Sequence, residues 1–324
     1  MPEPKMITIE TVPRMTFGHG RALGMAEMDR CKSVVALIVV ILASAIALIT
    51  TPAAWATTTK IDICPDLVAA EASHDQRRSQ HNSHQPNPYD QAAVAAYNAE
   101  ADALNAERAV LQQRDRGCVE AVRLINDGNP DGPSFKSPSP GKIRDVEAQR
   151  QNVAGSGWAP TPLQSVKDME RARHLVPKEL SGLYREIRKD NPQSARTIGD
   201  VPLNGAARPS GTDTNRAYPD QTYGFLADGK TPRVSADHIV PLAALIQMPG
   251  FTDLNARNMM IVATTPANMQ WMGSGPNSGK SSGSPLRLLP KADSAWVDEQ
   301  VALQTQKMTD MQNLIDALLT SQGR

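Results

Sequence analysis

Apolar positions recur with helical spacing over two long stretches of the chain. Between Asp90 and Ile125, Val94, Tyr97, Ala101, Leu104, Leu111, Cys118, Val122 and Ile125 fall at steps of three and four or their multiples. That period lines up one face of a long helix, interrupted at Arg108 and Asp115. Between Asp293 and Ser321, Val297, Val301, Met308, Met311, Ile315, Leu318 and Leu319 form a second stripe and predict a closing helix. Asp66 to about Gln80 has helical composition, and Pro65 suits its first turn. The run HNSHQPNPY (81–89) breaks it. Pro- and Gly-rich segments at 126–142 and 155–162 read as linker, with a helix expected between them at Ile143–Asn152. Leu163 to Asp190 again has helical composition, broken near Pro177; from Pro192 to about Arg233 the pattern is irregular.

The shortest elements cluster near the end. Val234–Ile239 reads as a strand with Asp237 and His238 at its end. Leu254–Thr264 reads as a helix stopped before Pro266, and Asn268–Met272 as a second strand. Gly273–Pro276 turns the chain, and Asn277 to about Ser282 opens a short helix. The expected class is therefore α+β and mostly helical. It consists of an N-terminal extension and leader (1–56), a helical hairpin module (57–126), a linker (127–162) and a C-terminal domain (163–324).

Composition alters this picture at the N-terminus. Arg30 and Lys32 precede the uncharged run Ser33–Ile49, and the small-x-small site Ala54-Trp55-Ala56 follows. These are the parts of a secretory signal, with cleavage expected after Ala56 and a start at Met25 or Met28 giving a leader of ordinary length. An uncleaved anchor through residues 33–49 is the alternative; its apolar run is short for a span of about 20 residues. After cleavage no stable membrane association is expected. Cys31 would leave with the leader, so Cys64 and Cys118 would remain as one disulfide in an exported protein.

Lys plus Arg and Asp plus Glu are both 34, which argues against a chain coated with positive charge. Positive charge is local instead. Arg233, Arg257, Lys280, Arg287 and Lys291 outnumber Asp237 and Asp253 in 231–291, as phosphate binding requires.

The chemistry gathers in residues 233–283. The segment contains DHIVPL at 237–242, Asn268, Asn277 nine positions later, and NSGKS at 277–281. This set resembles the HNH, or ββα-metal, nucleases. It is similar to the HNH domain of RNA-guided CRISPR nucleases and to the nuclease ends of bacterial polymorphic toxins. Those toxins often close on N-x-S-K-G, whereas here Gly279 and Ser281 flank Lys280. The resemblance covers the last third of the chain. It implies a C-terminal ββα-metal nuclease domain that hydrolyses phosphodiesters, with DNA the expected substrate and RNA the alternative. His238 would be the general base. Asp237 and Asn277 would be oxygen ligands to Mg²⁺ or Mn²⁺. Asn268 would orient His238, and Lys280 would hold phosphate or transition-state charge. Arg233, Lys280 and Arg287 are the candidate substrate contacts. With export, the resemblance implies an antibacterial toxin, which would be paired with an immunity protein. A scavenging extracellular nuclease and a non-catalytic exported interaction protein are the rivals.

Overall fold

A computed structural model describes residues 58–130, 138–160, 175–189, 199–289 and 291–324. The leader, its cleavage site, and residues 163–174 and 190 of the expected helix at 163–190 lie outside the described residues. The protein is predominantly helical with two small antiparallel sheets, an α+β arrangement.

A short helix α1 (Lys60–Ile63) leads into α2 (Pro65–Ser83) and then the long α3 (Gln91–Asp127). Pro65 occupies the first turn of α2, where its missing N–H costs nothing. Asp90 caps α3 by accepting the backbone N–H of Ala93 at 3.0 Å. The two helices run antiparallel, joined by Cys64–Cys118 with Cα atoms 6.3 Å apart. Helix α3 runs on past Cys118 to Asp127, where Asn126 accepts the Thr58 backbone N–H at 3.0 Å; the other end of the hairpin closes near the 84–90 loop. There His81 stacks on Tyr97 with ring centroids 3.9 Å apart.

This hairpin is not set apart from the rest. The closing helix α9 (Ser294–Ser321) packs along α3, and the approach is close at Gly117. A Cβ there would lie 2.6 Å from the carbonyl oxygen of Ala317. One hydrophobic core runs from Leu67, Leu111 and Cys118 through Leu245, Phe251 and Ile261 to Leu314 and Leu318. The interval expected as linker also contributes. Helix α4 (Pro140–Gly155), capped by Ser139, buries Val146 and Val153 in that core. Helix α5 (Ser181–Arg188) follows a single 3₁₀ turn, buries Leu183 and Ile187, and is tied to α4 by the Lys142–Glu186 ion pair.

The stretch expected to be irregular before Arg233 contains a small hairpin, β1 (Thr214–Asn215) with β2 (Tyr218–Thr222). The second hairpin pairs β3 (Val234–His238) with β4 (Met269–Gly273) in the register Asp237↔Gln270 and His238↔Met269. Between them lie α6 (Leu242–Leu245) and α7 (Ala256–Thr264). Helix α8 (Ser274–Lys280) follows β4 without a loop, so the local order is strand, strand, helix. Asn268 lies in a 3₁₀ turn just before β4, and Asn277 lies inside α8 rather than at its start. Met259, Met260, Met269 and Met272 are core residues.

Candidate functional site

The β3–β4 hairpin and α8 form one wall of a cleft of about 550 Å³, lined by residues including Asp237, His238, Asn277, Tyr184 and Arg188. Asp237, His238, Asn268, Asn277 and Lys280 each have a definite place on or beneath that wall.

His238 ends β3 and is half-buried. Its Nε2 lies 2.9 Å from the carbonyl oxygen of Ala263, at the end of α7. A carbonyl can only accept, so Nε2 carries the proton and Nδ1 carries the lone pair. Nδ1 makes no hydrogen bond among the described residues. Burial pushes the imidazole below the ordinary histidine pKa, opposed by the Ala263 carbonyl and Asp237 and reinforced by Lys280. The result is a neutral imidazole whose basic nitrogen is held in one orientation.

Asn268 does not perform the ring-orienting role expected of it. Its Oδ1 accepts the backbone N–H of Val240 at 2.9 Å, and its Nδ2 donates to the Val240 carbonyl at 3.1 Å. With 1% of its surface exposed, it clamps the backbone just after His238. The ring itself is held by Ala263, a partner the sequence did not signal.

Lys280 requires a larger correction. It is 1% exposed and is not among the residues lining the cleft. Its Nζ donates to Asp237 Oδ1 at 2.9 Å, to Oδ2 at 2.8 Å and to the His238 carbonyl at 2.6 Å. An ammonium committed to a buried carboxylate has no reach toward a phosphate. Lys280 therefore positions Asp237 and the end of β3. Gln270, directly across the sheet, donates to Asp237 Oδ2 at 3.1 Å and to Gln300 Oε1 on α9 at 2.6 Å. Arg233 is exposed and outside the cleft lining. Arg287 donates through Nε to the Gly279 carbonyl at 3.4 Å, away from the lining residues.

Two oxygen donors remain that fit a hard divalent cation. A carboxylate offers about four lone-pair directions, and Lys280 and Gln270 occupy three of those on Asp237. Asn277 spends its amide N–H on Ser235 Oγ at 2.8 Å, with the Ala236 carbonyl at 3.5 Å. Its Oδ1 makes no hydrogen bond among the described residues. No cluster of three His, Cys, Asp or Glu occurs among the described residues, so any ion held here rests on these two donors, water and substrate. Lys280 offsets the charge of Asp237, which makes a weak site the expectation.

The turn after α8 shows where the chain departs from the toxin pattern. Ser281 has φ +52°, a conformation that glycine adopts without strain and that the N-x-S-K-G pattern meets with glycine.

No family model, no curated protein and no solved structure matches this chain.

Proposed function

We propose that the chain is a metal-dependent nuclease of the HNH, ββα-metal kind, hydrolysing phosphodiester bonds of nucleic acid, with DNA the expected substrate. One observation carries the reading. The Nδ1 lone pair of His238 is fixed by the Nε2–Ala263 bond, in a cleft also lined by Asp237 and the open Oδ1 of Asn277. A neutral imidazole can take a proton from a water held in that cleft as the water attacks phosphorus. Asn268 keeps the backbone that carries the imidazole in place, and Lys280 with Gln270 keeps Asp237 facing the cleft edge. Asp237 and Asn277 would hold Mg²⁺ or Mn²⁺, which when bound supplies positive charge to the phosphate and the departing oxygen.

The Cys64–Cys118 bridge supports an oxidising compartment and hence export. Export and the motif together favour an antibacterial toxin over a scavenging enzyme.

The test is plasmid nicking by the purified protein with Mg²⁺ or Mn²⁺, beside His238→Ala and an EDTA control. Cleavage should fall by about a hundredfold or more in the variant and vanish in EDTA. Near wild-type cleavage by His238→Ala, or full activity in EDTA, sinks the proposal.

A further inference from the structure

We infer that Arg188, stacked on Tyr184 of α5, is the substrate's phosphate clamp in this cleft; the inference rests on the nuclease reading above. The three cations expected to contact substrate are all placed elsewhere. Lys280 is buried on Asp237, Arg287 donates to the Gly279 carbonyl, and Arg233 does not line the cleft. Arg188 is the one Lys or Arg among the described lining residues. It is exposed and makes no ion pair among the described residues. Its guanidinium carbon lies 5.8 Å from the centroid of the Tyr184 ring, which holds the fork over an aromatic face while leaving its N–H edges open.

The helix beneath is rigid enough to aim it. Leu183 and Ile187 are fully buried, one residue before Tyr184 and Arg188 respectively, so the same helical turn that anchors the core side presents this pair to the cleft. The Lys142–Glu186 pair pins the other flank of α5 to α4. Arg188 shares this cleft with His238 and Asn277, and Ser235, Ser274, Ser278 and Ser281 add hydroxyls to its lining. A guanidinium in one cleft with a fixed base and several hydroxyls suits a phosphodiester backbone bound along it. Arginine's planar fork meets two phosphate oxygens at once. The clamp lies well before the 233–283 segment in sequence, so the cleft draws on a helix the motif does not include.

The test reads binding, not cleavage. Fluorescence anisotropy of the full-length protein in EDTA, with a labelled DNA duplex in one arm and a single-stranded RNA of the same sequence in the other, is measured from low to high salt. Arg188→Ala should weaken binding by about tenfold to a hundredfold, the scale of removing one charge-assisted hydrogen bond. It should also flatten the plot of log affinity against log salt by about 0.9 on duplex DNA, or about 0.7 on a single strand, the change expected when one phosphate is no longer neutralised. Arg188→Lys keeps the charge and should keep the slope while binding somewhat more weakly. Melting curves for both variants should match wild type, because the guanidinium is exposed. Unchanged affinity and slope in Arg188→Ala overturn the clamp, as does a Lys variant that flattens like the Ala variant, or a wild-type protein that binds neither strand. Nicking by the wild-type protein is scored separately, so a failed clamp and a failed nuclease reading give different patterns.

Discussion

The buried pair between Lys280 and Asp237 makes a prediction that separates a positioning lysine from a phosphate-binding one. The two side chains are 1% and 3% exposed, with Nζ 2.8 Å from Oδ2. At an effective dielectric near 20 their gross attraction is about 6 kcal/mol at that distance, much of it offset by the cost of taking both charges out of water. Removing only the lysine leaves the cost without the attraction. Lys280→Met should therefore lose about 3–5 kcal/mol of stability, together with the tether to the His238 carbonyl. In the double variant Asp237→Asn/Lys280→Met no buried charge is left, and most of the loss should disappear. Mn²⁺ should recover part of the loss in the single variant, because the cation takes the place of the ammonium beside Asp237; at a hundredfold excess over its dissociation constant the gain is about 2.7 kcal/mol. It should do little for the double variant, which lacks the carboxylate. Urea denaturation followed by circular dichroism, with and without MnCl₂, measures all of these. A single variant within about 1 kcal/mol of wild type, the usual range for a surface charge, or a double variant no more stable than the single one, refutes the reasoning.

Four further outcomes follow from the same geometry. Burial lowers the His238 pKa, and the base must be neutral to act, so the rate at saturating metal should rise with pH through a midpoint below 6.5; a midpoint at or above 6.5 in a pH–rate profile contradicts this. The sign for stability is the same, since a folded-state pKa below the unfolded one means stability is present above about 6.5 and is lost as pH falls below it. Asn268→Ala strands the Val240 N–H and carbonyl, so it should cost about 2–3 kcal/mol and resist rescue by Mn²⁺. Asn277→Ala should melt near wild type and recover cleavage as Mn²⁺ is raised; the reverse pattern in melting and metal titrations would mean the two roles are exchanged. Ser281→Gly relieves a positive φ and should raise stability by about 1 kcal/mol in the same urea assay, whereas a loss would show that the Ser281 side chain contributes more than its strain costs.

Much of this protein was legible residue by residue. The stripes on α3 and α9, the proline opening α2, the strands β3 and β4 and the pairing of Cys64 with Cys118 are written in short-range period and composition, and the structure has all of them. That Asp237, His238, Asn268, Asn277 and Lys280 gather at one end of the β3–β4 hairpin was legible as well, because they sit in one short segment with strand, strand, helix order. What each member touches was not. Whether Lys280 faces solvent or Asp237 depends on how tightly α8 closes on the end of β3. The orienting partner of His238 is a backbone carbonyl on α7, and a carbonyl carries no sequence signal. The short β1–β2 hairpin escaped notice because two- and five-residue strands give too few alternating positions to show a period. Arg188 reaches the cleft because α5 is locked onto the core by Leu183 and Ile187, although it is about fifty positions from His238 in the chain. Local preference and spacing are properties of neighbouring residues and can be read along the chain. Charge pairing, tautomer and cleft membership are set by contacts between distant residues, and only the packed structure decides them.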